Sequence, residues 1–316
     1  MVSGTSPSNV SPMSHHSTRP DGGPAQRIGF WLGIAAFVFL LIVPVDATNE
    51  PASNLAAVAL LMAIWWVSDA IPLFATAMLP LFLYPLLGIL GARDTAPIYF
   101  NSTIVLYIGG FMIALTMQKL NLHKRIALGI IHAVGGGPAR IVLGFMIAAG
   151  FLSMWISNTA TAVMMVPIGL AIVLKIEDSF GVERSHPFTV SLMLGIAYGC
   201  SVGGLSTLVG TPPNLSFVRI FEILFPEAPS IAFGQWLIMA FPIGVVMIGL
   251  VWFCLTKIFY RTPEEVTVDH DVIVEEKLAL GPISYEERWV AAVFATTALL
   301  WVFRADLNLG FVSIPG

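Results

Sequence analysis

The residues with chemistry to offer lie where an apolar chain should have none. In "SMWISNTATAVMMVPIG" (153–169), Ser153, Ser157, Asn158, Thr159 and Thr161 interrupt an apolar run from Ile141 to Leu174. Hydroxyls and an amide supply neutral oxygens that accept, and O–H or N–H groups that donate. A second interruption, "GGLSTLVGTPPN" (203–214), breaks the apolar run 188–221 and ends in Asn214. Pro212 and Pro213 lack N–H groups and break a helix, while Gly203, Gly204 and Gly210 permit unusual backbone angles. Two interrupted segments, each with an Asn and hydroxyls, form the pattern of a membrane midplane site. Freed carbonyls there coordinate a small cation, and half-helix N-termini face an anion.

Each feature also has a plainer explanation. Ser and Thr in membrane helices commonly bond only their own backbone or a neighbour, and a Pro-Pro pair can be a simple kink. Asn158 resists that account, because polar groups inside a bilayer are costly and functional by default. Other candidates carry less. His123, Lys124 and Arg125 lie in "NLHKRIALGIIHAVGG", whose Leu122, Ile126 and Ile130 recur at helical spacing, which predicts an amphipathic helix on the cytoplasmic surface. Asp69, in "WWVSDAIPL", falls where an interface residue would. No metalloprotease spacing, P-loop or paired catalytic acids occur, so the chain does not read as an enzyme.

These blocks are set in a greasy chain. Its 316 residues are 57% hydrophobic and 11% charged, against about 25% charged in soluble domains. The net charge of −4 offers no basic face for nucleic acid. Cys200 and Cys254 both lie in apolar runs, which argues against a disulfide framework. Residues 1–27 are rich in Ser, Pro and Gly and predict a disordered cytoplasmic tail. Apolar stretches long enough to span occur near 28–45, 54–71, 72–91, 100–119, 188–221, 236–258 and 287–303.

The stretch 141–174 is different. A straight helix over it would be roughly 51 Å long, against about 30 Å of hydrocarbon. Lys and Arg concentrate on the cytoplasmic side of membrane proteins. If 141–174 enters and returns as a re-entrant hairpin, the 15 Lys and Arg residues split 12 to 3, with only Arg93, Arg219 and Arg304 outside. If it crosses once, the split is 8 to 7. The hairpin is therefore expected, with the N-terminus inside. Its tip, Ser157-Asn158-Thr159, has irregular backbone that is tolerated only when buried in protein or lining a wet cavity.

Four segments in order, "WWVSDAIPL", "LYIGGFMIALTMQKLNLHKRIAL", "SNTAT" and "GTPPN", give the chain from about residue 28 onward a resemblance to the divalent anion:sodium symporter family of dicarboxylate, citrate and sulfate carriers. The resemblance implies an all-α polytopic fold with two inverted repeats, each holding a re-entrant hairpin and an unwound helix. By position it implies a sodium site of Ser153, Ser157, Asn158 and Gly210, and a substrate carboxylate bound by Asn158, Thr159 and Thr211. It also implies a homodimer.

On this reading the chain divides into the tail 1–27, a first span with its outer loop at 28–53, and a first repeat at 54–260. The repeat holds the hairpin 141–174 and the unwound helix 188–221. A cytoplasmic linker at 261–286 and the start of a truncated second repeat at 287–316 follow. The expected function is sodium-coupled symport of C4-dicarboxylates such as succinate, malate and fumarate, across a bacterial inner membrane. Na⁺, the dicarboxylate and the lipid bilayer are the expected partners, with no nucleic acid. The alternatives are an inactive fragment or half-site needing the missing repeat, or a carrier of citrate, sulfate or other oxyanions working by exchange.

Overall fold

The structure, a computed structural model, describes residues 23–46, 48–261 and 271–304, with two short strands at 307–308 and 313–314. Most of the expected tail, and residues 262–270 of the expected linker, lie outside the described residues. From Pro24 the chain is already helical, because proline is tolerated in the first turn, where its missing N–H is not needed. The described elements are helices except for β1 (Leu307–Asn308) and β2 (Ser313–Ile314), which pair antiparallel. Two compact units divide the chain, Met1–Asn101 and Ser102–Gly316.

In the first unit, α1 (Pro24–Ile42) lies against α2 (Glu50–Ser68). Gly29 and Gly33 allow the approach, since a Cβ at either would strike Ser68 or Trp65. The Trp65 ring stacks on Phe30 at 5.2 Å and donates from Nε1 to the Phe30 carbonyl at 3.1 Å. Asn49 caps α2 by accepting from the Ala52 amide, and Asp69 ends it in a left-handed conformation. Residues 72–91, expected as one span, form α3 (Leu73–Ala77) and α4 (Leu79–Leu86), followed by α5 (Ala92–Tyr99). Pro80 explains the break at Met78, because it cannot donate to the Thr76 carbonyl as a continuous helix requires; Pro72 precedes α3, and Pro85 is accommodated inside α4.

The second unit runs α6 (Ser102–Lys119), α7 (Leu122–Val134), α8 (Pro138–Ser153), α9 (Asn158–Phe180), α10 (Val182–Leu205), α11 (Pro212–Leu224), α12 (Phe233–Phe253), α13 (Asp271–Ala279) and α14 (Tyr285–Val302). The helix α10 packs against α8, α9 and α12, around a core that includes Phe145, Met146, Met165, Phe188 and Ile196. A glycine row lets α10 and α8 touch backbone to backbone. A Cβ at Gly199 would lie 2.8 Å from the Met146 carbonyl, and one at Gly203 would overlap the backbone of Gly150. Gly195, Gly199 and Gly203 recur every four residues, which puts them on one helix face, the small-residue seam that close membrane-helix packing uses.

Among the described residues, six helical segments are long and apolar enough to cross a membrane: Pro24–Ile42, Glu50–Ser68, Ala92–Lys119, Asn158–Phe180, Val182–Leu205 and Phe233–Phe259. Length and composition make the chain a multi-pass membrane protein. The helix α8 is shorter, at 16 residues, whereas α9 has 23 and is by itself long enough to span.

Candidate functional site

Both interruptions expected from the sequence are present. The helix α8 ends at Ser153, and α9 starts at Asn158 after four residues of turn. At the tip, Trp155 N–H donates to Leu152 at 3.0 Å and Ile156 N–H to the same carbonyl at 2.9 Å. Ser157 caps α9, its Oγ accepting from the Ala160 amide at 3.3 Å. The amides of Asn158 and Thr159 find no acceptor among the described residues. They stand at the positive end of a 23-residue helix, where an anion is favoured.

The second break covers 206–211, between α10 and α11. Here the helix N-terminus is less generous than the pattern suggests. Pro212 and Pro213 have no N–H, and the Asn214 amide turns back to the Thr211 carbonyl at 3.1 Å. Thus the first turn of α11 contributes its dipole; in the break before it the amides of Thr207, Leu208, Val209 and Thr211, like those of Asn158 and Thr159, find no acceptor among the described residues.

The two breaks meet. Ser153, fully buried, donates from Oγ to Asn158 Oδ1 in a short hydrogen bond. The Cα of Gly204 sits so close to that oxygen that a Cβ there would overlap it. A Cβ at Gly210 would lie 2.5 Å from the Gly204 carbonyl and 2.9 Å from the Ser153 carbonyl. Ser153, Asn158, Gly204 and Gly210 therefore form one close-packed cluster, with the Asn158 amide oxygen against Gly204 and the carbonyls of Ser153 and Gly204 against Gly210. Ser157 adjoins it through the chain and is exposed. Thr159 is exposed in the first turn of α9; Thr211 is half-buried at the N-cap position of α11, with no side-chain capping bond. Among the described residues neither side chain is hydrogen-bonded into the cluster.

An uncharged, all-oxygen donor set fits an alkali cation better than a transition metal, which seeks imidazole or thiolate. The buried Thr161 hydroxyl, one turn along α9 from Ser157 and Asn158, has no hydrogen-bond partner among the described residues.

Two supporting residues stood in the quoted stretch without a role. Asn214, buried, donates from Nδ2 to the carbonyls of Gly204 at 3.0 Å and Thr207 at 2.7 Å. Thr207, wholly buried, donates to the Met154 carbonyl at 2.5 Å and accepts from the Gly210 amide at 3.0 Å. The cue for both was their place in a glycine-rich, apolar break, where a polar side chain must find backbone partners.

Helices that span a membrane but break at polar, oxygen-lined points define a secondary transporter class rather than an enzyme. Residues 26–314 match the family described as Sodium:sulfate symporter transmembrane region, and the chain belongs to that family. Over 289 residues it is 38% identical to a protein from Staphylococcus saprophyticus named sodium-dependent dicarboxylate transporter SdcS. Proteins of the same name from Staphylococcus aureus strains match at 38% and 37% identity. In each case the match covers 89% of this chain and 55% of the relative, so the chain spans about half the length of the curated relatives it matches.

Proposed function

We propose that this chain carries the sodium site, and part of the substrate site, of a sodium-coupled symporter of C4-dicarboxylates such as succinate, malate and fumarate. The contact of the α8–α9 tip with the 206–211 break supports this reading most directly. It gathers Ser153, Asn158 and Gly210 around neutral oxygens. Sodium is held by Ser153, Ser157, Asn158 and Gly210. One substrate carboxylate is held by Asn158, Thr159 and Thr211, beside the free amides that open α9. Cation and anion then neutralise each other, which is why the tip needs no Lys or Arg.

Segment 141–174 acts as a re-entrant hairpin, with the N-terminus on the cytoplasmic face of the cell membrane. The exposed apolar side chains of α12, among them Phe241, Ile243, Val246 and Leu250, face lipid. The repeat 54–260 has an inverted counterpart in the intact carrier, which works as a homodimer. Dicarboxylate is preferred to sulfate because the relatives at 37–38% identity carry that name.

The coverage of 55% supports a second reading, in which this chain alone binds sodium without transporting. Succinate uptake into proteoliposomes, with and without an inward Na⁺ gradient, tests the proposal. Sodium-dependent uptake by the protein completed to its relatives' length is expected, and its loss in the Ser157→Ala, Asn158→Ala variant. Full sodium-dependent flux in that variant would put the site elsewhere.

A further inference from the structure

We propose that Thr207 is the positioning residue that couples the two halves of the sodium site, a role that rests on the sodium assignment above. Its side chain lies fully inside the protein, with one hydrogen bond across to the tip and one to an amide of its own break. The single hydroxyl proton goes to the carbonyl of Met154, which belongs to the α8–α9 tip. A lone pair receives the amide of Gly210, which belongs to the other break. One oxygen atom therefore spans two segments that are 53 residues apart in sequence.

The neighbours it holds are those that shape the cluster. Met154 directly follows Ser153, whose hydroxyl orients Asn158 Oδ1 and whose carbonyl abuts Gly210. Gly210 in turn presses on the Gly204 carbonyl. The backbone of Thr207 is held as well, since Asn214 Nδ2 donates to its carbonyl and to that of Gly204. The chain of bonds runs from Asn214 through Thr207 to Met154 and Gly210, and no member of it is a proposed sodium ligand except Gly210. Thr207 thus sets the separation of tip and break without touching the ion. Such outer partners cost about 10–100-fold in metal affinity when removed. Valine keeps the shape but not the hydroxyl, and leaves the Met154 carbonyl and Gly210 amide buried without partners.

The test is thermal unfolding of this chain, purified in detergent, titrated with NaCl against KCl at constant ionic strength. Wild type should show stabilisation specific to Na⁺. Thr207→Val should raise the half-saturating sodium concentration by about 10–100-fold, and Thr207→Ser should restore it. Two results overturn the role in different ways. A lower melting temperature in KCl with an unchanged sodium constant makes Thr207 a packing residue and leaves the sodium site intact. No sodium-specific stabilisation of wild type overturns the site and this role together. Should Thr207→Val not fold, amide exchange in the wild type decides. Slow exchange at Gly210, slowed further by Na⁺ but not K⁺, supports the coupling; fast exchange in both salts overturns it.

Discussion

Asn158 presents one side-chain oxygen, and two groups already press on it: the hydroxyl of Ser153 and the Cα of Gly204. Its position is therefore set by atoms with almost no room to move. Adding a methyl group at Gly204 would push the amide off Ser153, since Asn158 is the one partner in that contact with a rotatable end. Gly204→Ala should lower sodium affinity by about tenfold or more, as loss of an orienting partner does, while the protein still inserts and folds. Sodium-dependent melting measures this, and an unchanged constant would mean that Asn158 Oδ1 is not a ligand. The sequence marked Ser153, Ser157, Asn158 and Gly210 because polar groups and glycines stand out in an apolar run. Thr207 stood out less, since its role depends on where its hydroxyl points across 53 residues, which no local pattern records.

At the scale of elements, α7 and the segment leading into α14 are latched together. Arg125 forms a forked ion pair with Glu287, Nε to Oε1 at 3.1 Å and Nη2 to Oε2 at 3.2 Å. It also donates to the carbonyls of Gly281 at 2.9 Å and Leu280 at 3.1 Å. Glu287 closes a capping box with Ser284 at the start of α14. Just upstream, α13 places Ile273 in the core against α7. The described part of the expected linker is therefore anchored at Ile273 and Glu287, while 275–279 and 281–286 stay exposed. Removing one partner of a buried pair costs about 3–5 kcal/mol, a figure to be reduced here because Arg125 is 20% exposed. Arg125→Ala should loosen 280–287, seen as faster tryptic cleavage at Lys277 and Arg288. Cleavage at the wild-type rate would show that the latch is not what orders the segment.

The same helix holds a pH-sensitive group outside the membrane-spanning segments. His123 is buried, with Nδ1 3.1 Å from the Met117 carbonyl, which requires the proton on Nδ1. Burial pushes its pKa below the ordinary value of 6.5; Lys124 adds to the fall and the Met117 bond opposes it. The unfolded chain then binds a proton more readily than the folded one, so stability is present above about pH 6.5 and is lost as pH falls from there. The melting temperature should drop between pH 7.5 and 5.5, and less in His123→Gln. An equal drop in both proteins would assign the effect to other groups.

For the whole molecule, the question is whether one chain of this length makes a complete site. The cluster around Asn158 closes entirely within the second unit, so sodium binding is expected of this chain by itself. The proposed substrate shell is different: among the described residues Thr159 and Thr211 make no hydrogen bond into the cluster, and the relatives are about twice as long as the part matched. Succinate uptake is therefore expected from the protein completed to that length and not from the 316-residue chain alone. Uptake by the short chain would show that a second repeat is not required. Competition by sulfate or citrate but not by succinate would move the substrate assignment within the family.

The sequence by itself determined the membrane class, the positions of both helix breaks and the polar residues at them. Each follows from local rules: apolar length, proline and glycine backbone limits, and the cost of polar atoms in hydrocarbon. Tertiary structure alone decided that the breaks meet and which buried groups hold the meeting point together. Those depend on the glycine row by which α10 seats against α8, and on hydrogen bonds between residues far apart in the chain. Side chains paired over such distances leave no period or spacing in the sequence to read.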